Sequence, residues 1–301
     1  MTSSAAAGAS TRSRWTVGGR TIEIEKPVLL GIVNVTPDSF SDGGVSFSPD
    51  RAVARGLELI EQGADVVDVG GESTRPGAAP VSLEEELRRV IPVIEGVLAA
   101  KPDALISIDT VKAGVAQRAL DAGAVIVNDV SGFRLDGAMP GVCARAECGV
   151  VLMHSRGSVA EMASYAVARY GDDIVGDIVR ELADGVERAV AAGVDRSSIV
   201  VDPGFGFSKT SAHSLAVLRE LDRVCELGFP VMVGLSRKRM IGELTGVAVA
   251  AERDAGSVGV AIVALMRGAR VFRVHDVRMH RQALDAAWGV LSAQCSVISD
   301  Q

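Results

Sequence analysis

The chain has 301 residues, 48% of them hydrophobic and 23% charged, with a net charge of −7. With 33 Gly and 10 Pro it lies far from low-complexity composition, so it reads as globular rather than disordered. The acidic balance argues against a dedicated nucleic-acid binder, which is ordinarily basic, but allows a locally positive pocket.

The start, MTSSAAAGASTRSR, lacks the apolar core of a secretory signal and predicts a disordered tail over 1–14. One domain over 15–301 follows. Within 15–26, Trp15-Thr16-Val17 and Thr21-Ile22-Glu23-Ile24 flank Gly18-Gly19, the pattern of a β-hairpin with a two-residue turn. Short β-branched runs then alternate with stretches of helical period. They occupy 28–35, 66–70, 105–109, 125–130, 150–154, 199–202, 231–236 and 271–275. Nearly continuous apolar strands separated by helices predict parallel strands buried on both faces. Eight such units without a linker predict an α/β fold, a single (β/α)8 TIM barrel. The first helix opens at Ser48-Pro49-Asp50, with Ala52, Val53, Gly56, Leu57 and Ile60 as its inner stripe. Ser82 followed by Glu85 predicts a capping box on the second.

Cys143, Cys148, Cys225 and Cys295 form no C-x-x-C pair, and only four histidines are present, so no Cys/His zinc site is expected. The longest apolar stretch, 258–266, is shorter than the roughly 18 residues that cross a bilayer. A cytoplasmic protein without membrane or nucleic-acid partners is the expectation.

Barrels of this kind carry their chemistry at the carboxyl ends of the strands. Here those ends supply Asn34, Gly70, Asp109, Asn128, His154, Asp202, Ser236 and His275. Asp109, Asn128 and Asp202 form an acceptor-rich group, suited to the N–H donors of an amino-pyrimidine edge. Arg75, Lys238, Arg273 and His275, with Asn34, form a basic or neutral-polar group. The last two strand ends carry most of it, where barrels often bind phosphate. Phosphate or pyrophosphate on the substrate follows. His213 and His280 fall on helices and read as structural.

The segments GIVNVTPDSFSDGG (31–44), GGESTRPGA (70–78), ISIDT (106–110), NDVSG (128–132), VLMHSRG (151–157), DPGFGFSK (202–209), SRKRMIG (236–242) and RVHDV (273–277) follow one another along the chain. In this series the sequence resembles the dihydropteroate synthase family over roughly residues 15 to 290. The resemblance implies condensation of 6-hydroxymethyl-7,8-dihydropterin pyrophosphate with p-aminobenzoate, giving 7,8-dihydropteroate and pyrophosphate, with Mg²⁺ as cofactor and a homodimeric state. It implies a pterin site of Asp109, Asn128, Asp202 and Lys238. By the same resemblance, Asn34 would bind Mg²⁺ and, with Thr74, Arg75, Arg273 and His275, the pyrophosphate; Thr74, Pro76, Phe207, Lys238 and Arg239 would border p-aminobenzoate, and Asp42, Asp109 and Lys238 would be catalytic. Arg239 stands where many relatives carry Ser. A pterin-binding methyltransferase that serves a corrinoid protein could share the ring pocket, but has no pyrophosphate to bind, so SRKR and RVHD count against it. A ligand-binding paralogue without activity is disfavoured by the intact Asp42, Asp109, Lys238, Arg273 and His275.

Overall fold

The computed structural model describes residues 14–36, 48–73 and 79–292. The hairpin comprises β1 (Arg14–Val17) and β2 (Arg20–Glu23), paired antiparallel. Gly18 and Gly19 both have positive φ, 54° and 75°, as a tight two-residue turn demands. The tail predicted over 1–14 lies, except for Arg14, outside the described residues.

Eight parallel strands follow: β3 (Val28–Asn34), β4 (Val66–Gly70), β5 (Ile106–Asp109), β6 (Ile126–Asp129), β7 (Gly149–Met153), β8 (Ile199–Asp202), β9 (Met232–Val233) and β10 (Val271–Val274). Their order is β8-β7-β6-β5-β4-β3-β10-β9. A parallel bridge between Val201 and Val231, with the Val201 N–H donating to the Pro230 carbonyl at 3.0 Å, brings the two edges together. The barrel is thus nearly closed. β9 is much shorter than the 231–236 run predicts, because Pro230 has no N–H to give and the chain turns at Ser236-Arg237.

The helices that matter below are α1 (Pro49–Glu61), α2 (Leu83–Ala100), α3 (Ala113–Asp121), α4 (Met139–Ala146), α5 (Val159–Met162) and α6 (Ile174–Ala191). They continue with α7 (Ser211–Arg219), α8 (Leu221–Cys225), α9 (Arg239–Thr245), α10 (Asp254–Met266) and α11 (Val277–Leu291). In α1 the fully buried residues are Ala52, Gly56 and Leu59. Val53, Leu57 and Ile60 of the expected stripe pack against the core half-buried, and Leu59 joins them because Gly31 of β3 leaves it room: a Cβ there would stand 3.2 Å from the Leu59 side chain. Only half of the expected box forms on α2. The Ser82 hydroxyl accepts the Glu85 N–H, but the Glu85 carboxylate turns to Arg88 and Arg89. None of the described helices is long and apolar enough to cross a membrane.

Strand side chains divide by alternation. One set packs outward under the helices, where Leu29, Val67, Ile108 and Val201 lie. The other fills the barrel's lower interior with Val28, Leu30, Val66, Ile126, Val151 and Val200. The hairpin closes that end as a plug through Trp15, Val17 and Ile24. Trp15 is wholly buried, and its indole N–H donates to the Ser198 carbonyl at 2.8 Å. Trp15→Ala should therefore lower the free energy of unfolding in urea by about 3–5 kcal/mol. A loss under about 1 kcal/mol would contradict the plug's place in the core.

Candidate active site

Above the apolar layers the interior turns polar. Register places Gly70 beside Asp109, and Asp109 beside Asn128, on successive strands. Asp202 ends β8, Arg273 lies in β10, and Asn34 ends β3, half-buried. The barrel thus gathers Asp109, Asn128, Asp202, Arg273, His275 and Lys238 at one mouth. Asp42, Thr74, Arg75 and Pro76 lie outside the described residues.

Arg273 sits between two carboxylates. Its Nε donates to Asp68 Oδ2 at 2.6 Å and its Nη2 to Asp109 Oδ2 at 2.7 Å. Burial disfavours its charge, yet Asp68 and Asp109 outweigh that and hold its pKa above the ordinary range. For Asp109 the balance runs the other way. Burial pushes its carboxyl up to about 7, opposed by Arg273 and assisted by Asp68, Glu86 and Asp129. Burial likewise raises Asp202 to about 6, against the Gly204 N–H it accepts at 2.7 Å and the cations Lys238, Lys209 and Arg273.

Lys238 is lowered to about 8 by burial and by Arg273, with Asp202 and Asp109 opposing. Its ammonium lies 4.1 Å from the centre of the Phe207 ring, a cation–π contact that leaves it available to a ligand. Arg237 fixes the turn that carries it: φ is 61°, and Nε and Nη2 fork the Asp254 carboxylate at 2.7 Å each. His275 is driven down to about 3 by burial and the neighbouring Arg237, Arg273 and Lys238. It is a neutral imidazole, its Nδ1 3.0 Å from Ser236 Oγ. Arg239 is exposed, its guanidinium 4.8 Å from the Tyr165 ring centre.

Asp129, next to Asn128, does other work. It accepts the backbone N–H groups of Ser131 and Phe133 and so shapes the loop after β6. His213 caps α7 through Thr210, and His280 bonds the Asp276 carbonyl, both structural.

Several supporting residues carry no assigned role in the sequence reading. Asp68 is one; its only signal is a charge inside an apolar strand, VVDVG. Lys209 is another. Almost wholly buried, its ammonium meets the Gly204 and Phe207 carbonyls at 3.1 Å each and His154 Nδ1 at 2.9 Å. It pins the DPGFGFSK loop from beneath, while Glu181 of α6 holds the other His154 nitrogen at 3.0 Å. Gly204 has φ 73°, and a Cβ on it would lie 2.1 Å from the His154 carbonyl oxygen, so only glycine lets the loop approach. Burial, its largest influence, lowers Lys209 to about 7. Lys112 bridges Glu72 at 2.8 Å and Glu86 at 2.6 Å, and Glu72 also accepts the Val81 N–H at 2.8 Å. These bonds tie down the chain on both sides of 74–78.

The donor set bears on a metal. Among the described residues no group of three or more His, Cys, Asp or Glu side chains could hold one. Asn34 offers one neutral, hard oxygen. That fits Mg²⁺, which keeps several waters and binds substrate phosphates with few protein oxygens, and does not fit a metal that needs a full protein cage.

The profile of the pterin binding enzyme family matches residues 30–275. A dihydropteroate synthase of Neisseria meningitidis serogroup C is 43% identical over 283 residues, 93% of this chain and 98% of its own. The chain belongs to the dihydropteroate synthase family. Among solved structures, Xanthomonas albilineans dihydropteroate synthase with 4-aminobenzoic acid superposes with a TM-score of 0.86 at 46% identity, covering 93% of this chain and 99% of that one. The same Xanthomonas enzyme in complex with 7,8-dihydropteroate gives a TM-score of 0.83 at 43% identity, with coverage of 93% and 99%. The dihydropteroate synthase barrel therefore extends over nearly the whole chain.

The raised Asp109 has a consequence for stability. In the folded chain it keeps its proton up to about 7, whereas an unfolded Asp loses it near about 4. Between those values the folded state binds more protons, so its stabilising contribution is complete below about pH 4 and gone above about pH 7. Asp109→Asn should flatten the fall in stability across that window, read from urea midpoints at a series of pH values. Parallel curves for the two proteins would contradict the assignment.

Proposed function

We propose that this chain is a working dihydropteroate synthase, condensing 6-hydroxymethyl-7,8-dihydropterin pyrophosphate with p-aminobenzoate to give 7,8-dihydropteroate and pyrophosphate in folate synthesis. The observation that carries this reading is one mouth holding both acceptors and cations: buried Asn128 and Asp202 and mostly buried Asp109 beside Lys238 and Arg273. What the relatives are named for, and what the Xanthomonas structures contain, supports it.

The pterin's amino-pyrimidine edge donates to Asp202 and Asp109 and to the Asn128 carboxamide, in a site dry enough to make each bond selective. Lys238 covers the ring. Arg273 and neutral His275, with Thr74 and Arg75, bind the pyrophosphate, and Asn34 would hold Mg²⁺ there, which would supply positive charge to offset that of the pyrophosphate. The C–O bond to the pterin methylene breaks with its electron pair leaving on pyrophosphate, an SN1-like departure. The methylene cation that remains is delocalised into the ring, and the carboxylates of Asp109 and Asp42 stabilise it electrostatically. The amine of p-aminobenzoate, bordered by Thr74, Pro76, Phe207, Lys238 and Arg239, forms the new C–N bond and releases a proton to solvent. An arylamine is already nucleophilic, so no strong general base is needed, in keeping with the absence of a nucleophile–base dyad among the residues named.

We place the enzyme in the cytoplasm, as a homodimer. The exposed apolar residues Val263 and Met266 of α10, and Met279 and Val290 of α11, support a second copy as partner.

A steady-state assay tests the function: pyrophosphate release that requires p-aminobenzoate supports it, and cobalamin-dependent demethylation of a methyl-folate without such release contradicts it. Asp202→Ala should weaken pterin binding by about 2–4 kcal/mol, because ligand donors would be left buried and unpaired. Unchanged affinity by calorimetry removes Asp202 from the ring pocket.

A further inference from the structure

Asp68 lies in the middle of β4, among residues that are otherwise Val or Gly, and is completely buried. A valine would suit such a strand. A carboxylate there is costly unless its partners require it. Its partners come from two other strands: Oδ2 accepts from Arg273 Nε at 2.6 Å and from Asn128 Nδ2 at 3.3 Å. One oxygen therefore touches a residue assigned above to the pterin ring and another assigned to the diphosphate.

We propose that Asp68 is a positioning residue for the condensation, turning the Asn128 carboxamide and anchoring the Arg273 guanidinium so that ring and diphosphate are gripped in register. This rests on the site assignments given under the proposed function. A carboxylate can only accept, so the NH₂ end of Asn128 must face it. The other end, Asn128 Oδ1, is then left buried with no hydrogen-bond partner among the described residues, an acceptor awaiting a ring N–H. A neutral residue at position 68 would let the amide turn over and present its donors to the ring's donors.

The effect on Arg273 is steric as well as electrostatic. With Nε on Asp68 and Nη2 on Asp109, the planar fork is held at two of its three nitrogens. Nη1 makes no hydrogen bond among the described residues and is left for an anion. Asp109 must also serve the pterin ring, so Arg273 keeps its place through Asp68 when Asp109 is shared with a ligand.

Asp68→Asn, nearly the same in shape, tests this. Calorimetry compares the affinities of bare 6-hydroxymethyl-pterin and of its diphosphate ester, alongside the KM for p-aminobenzoate and the thermal midpoint. The expected losses are about 10-fold for the bare ring and about 100-fold for the ester, one and two charge-assisted contacts respectively. The KM for p-aminobenzoate stays within about 2-fold, since Asp68 touches nothing assigned to that pocket. In an Arg273→Ala background the extra loss for the ester shrinks to that of the ring. Equal losses for ring and ester in both backgrounds, unchanged affinities, or a KM for p-aminobenzoate that rises in step would overturn the proposal. Should Asp68→Asn not fold, Asp68→Ser is read by the same comparison. An unsubstituted protein that neither prefers the ester nor releases pyrophosphate counts against the function itself. One that does both, with Asp68→Asn indistinguishable from it, counts against Asp68 alone.

Discussion

Several charges share the nearly dry mouth of one barrel, and the arrangement survives because a single guanidinium stands between two of them. Arg273, bonded to Asp68 and Asp109, offsets part of the cost of removing carboxylates from water. It does not offset all of it. The residue of that cost is written in the raised Asp109 and Asp202 and the lowered Lys238 and His275. Acceptors outnumber the donors that satisfy them: Asn128 Oδ1 and Asp68 Oδ1 are buried without partners among the described residues. We propose that a flat heterocycle with several N–H groups completes this hydrogen bonding, with its anionic group held by Arg273.

Such preorganisation needs rigid support, which the fold supplies from beneath and behind. The hairpin seals the far end with Trp15, so the interior above it stays packed. Behind β7 and β8, Lys209 spends its protons on carbonyls and His154, fixing the loop that presents Phe207 to Lys238. Beside that loop, after β9, Arg237 and Asp254 hold the turn before α9. None of these groups needs to meet a substrate. Their effect is to keep the groups that do within a fraction of an ångström of place.

The barrel is legible in the sequence because each buried parallel strand is a short apolar run that stops at a polar residue. Asn34, Asp109, Asn128 and Asp202 announce both the strand ends and the polar mouth, since the same geometry that ends a strand puts its last side chain there. The cooperation of distant residues is not legible. Asp68 and Arg273 are 205 positions apart, and nothing local reveals that one holds the other. Lys209 reads as part of a motif, but its partner His154 is 55 positions away. Local rules also compete with one another, as where Glu85 leaves the helix cap for Arg88 and Arg89 one turn on, and with tertiary contacts, as where Gly31 makes room for Leu59 beside the expected stripe.

The claim on which the account turns is that one rim binds ring and diphosphate of the same molecule side by side. A crystal structure of the protein with a pterin diphosphate, p-aminobenzoate and Mg²⁺ tests it most directly. The expected result is the pterin edge on Asp109, Asn128 and Asp202, with its diphosphate on Arg273 and His275. A pterin bound away from Asp202, or a diphosphate that leaves Arg273 untouched, would contradict it.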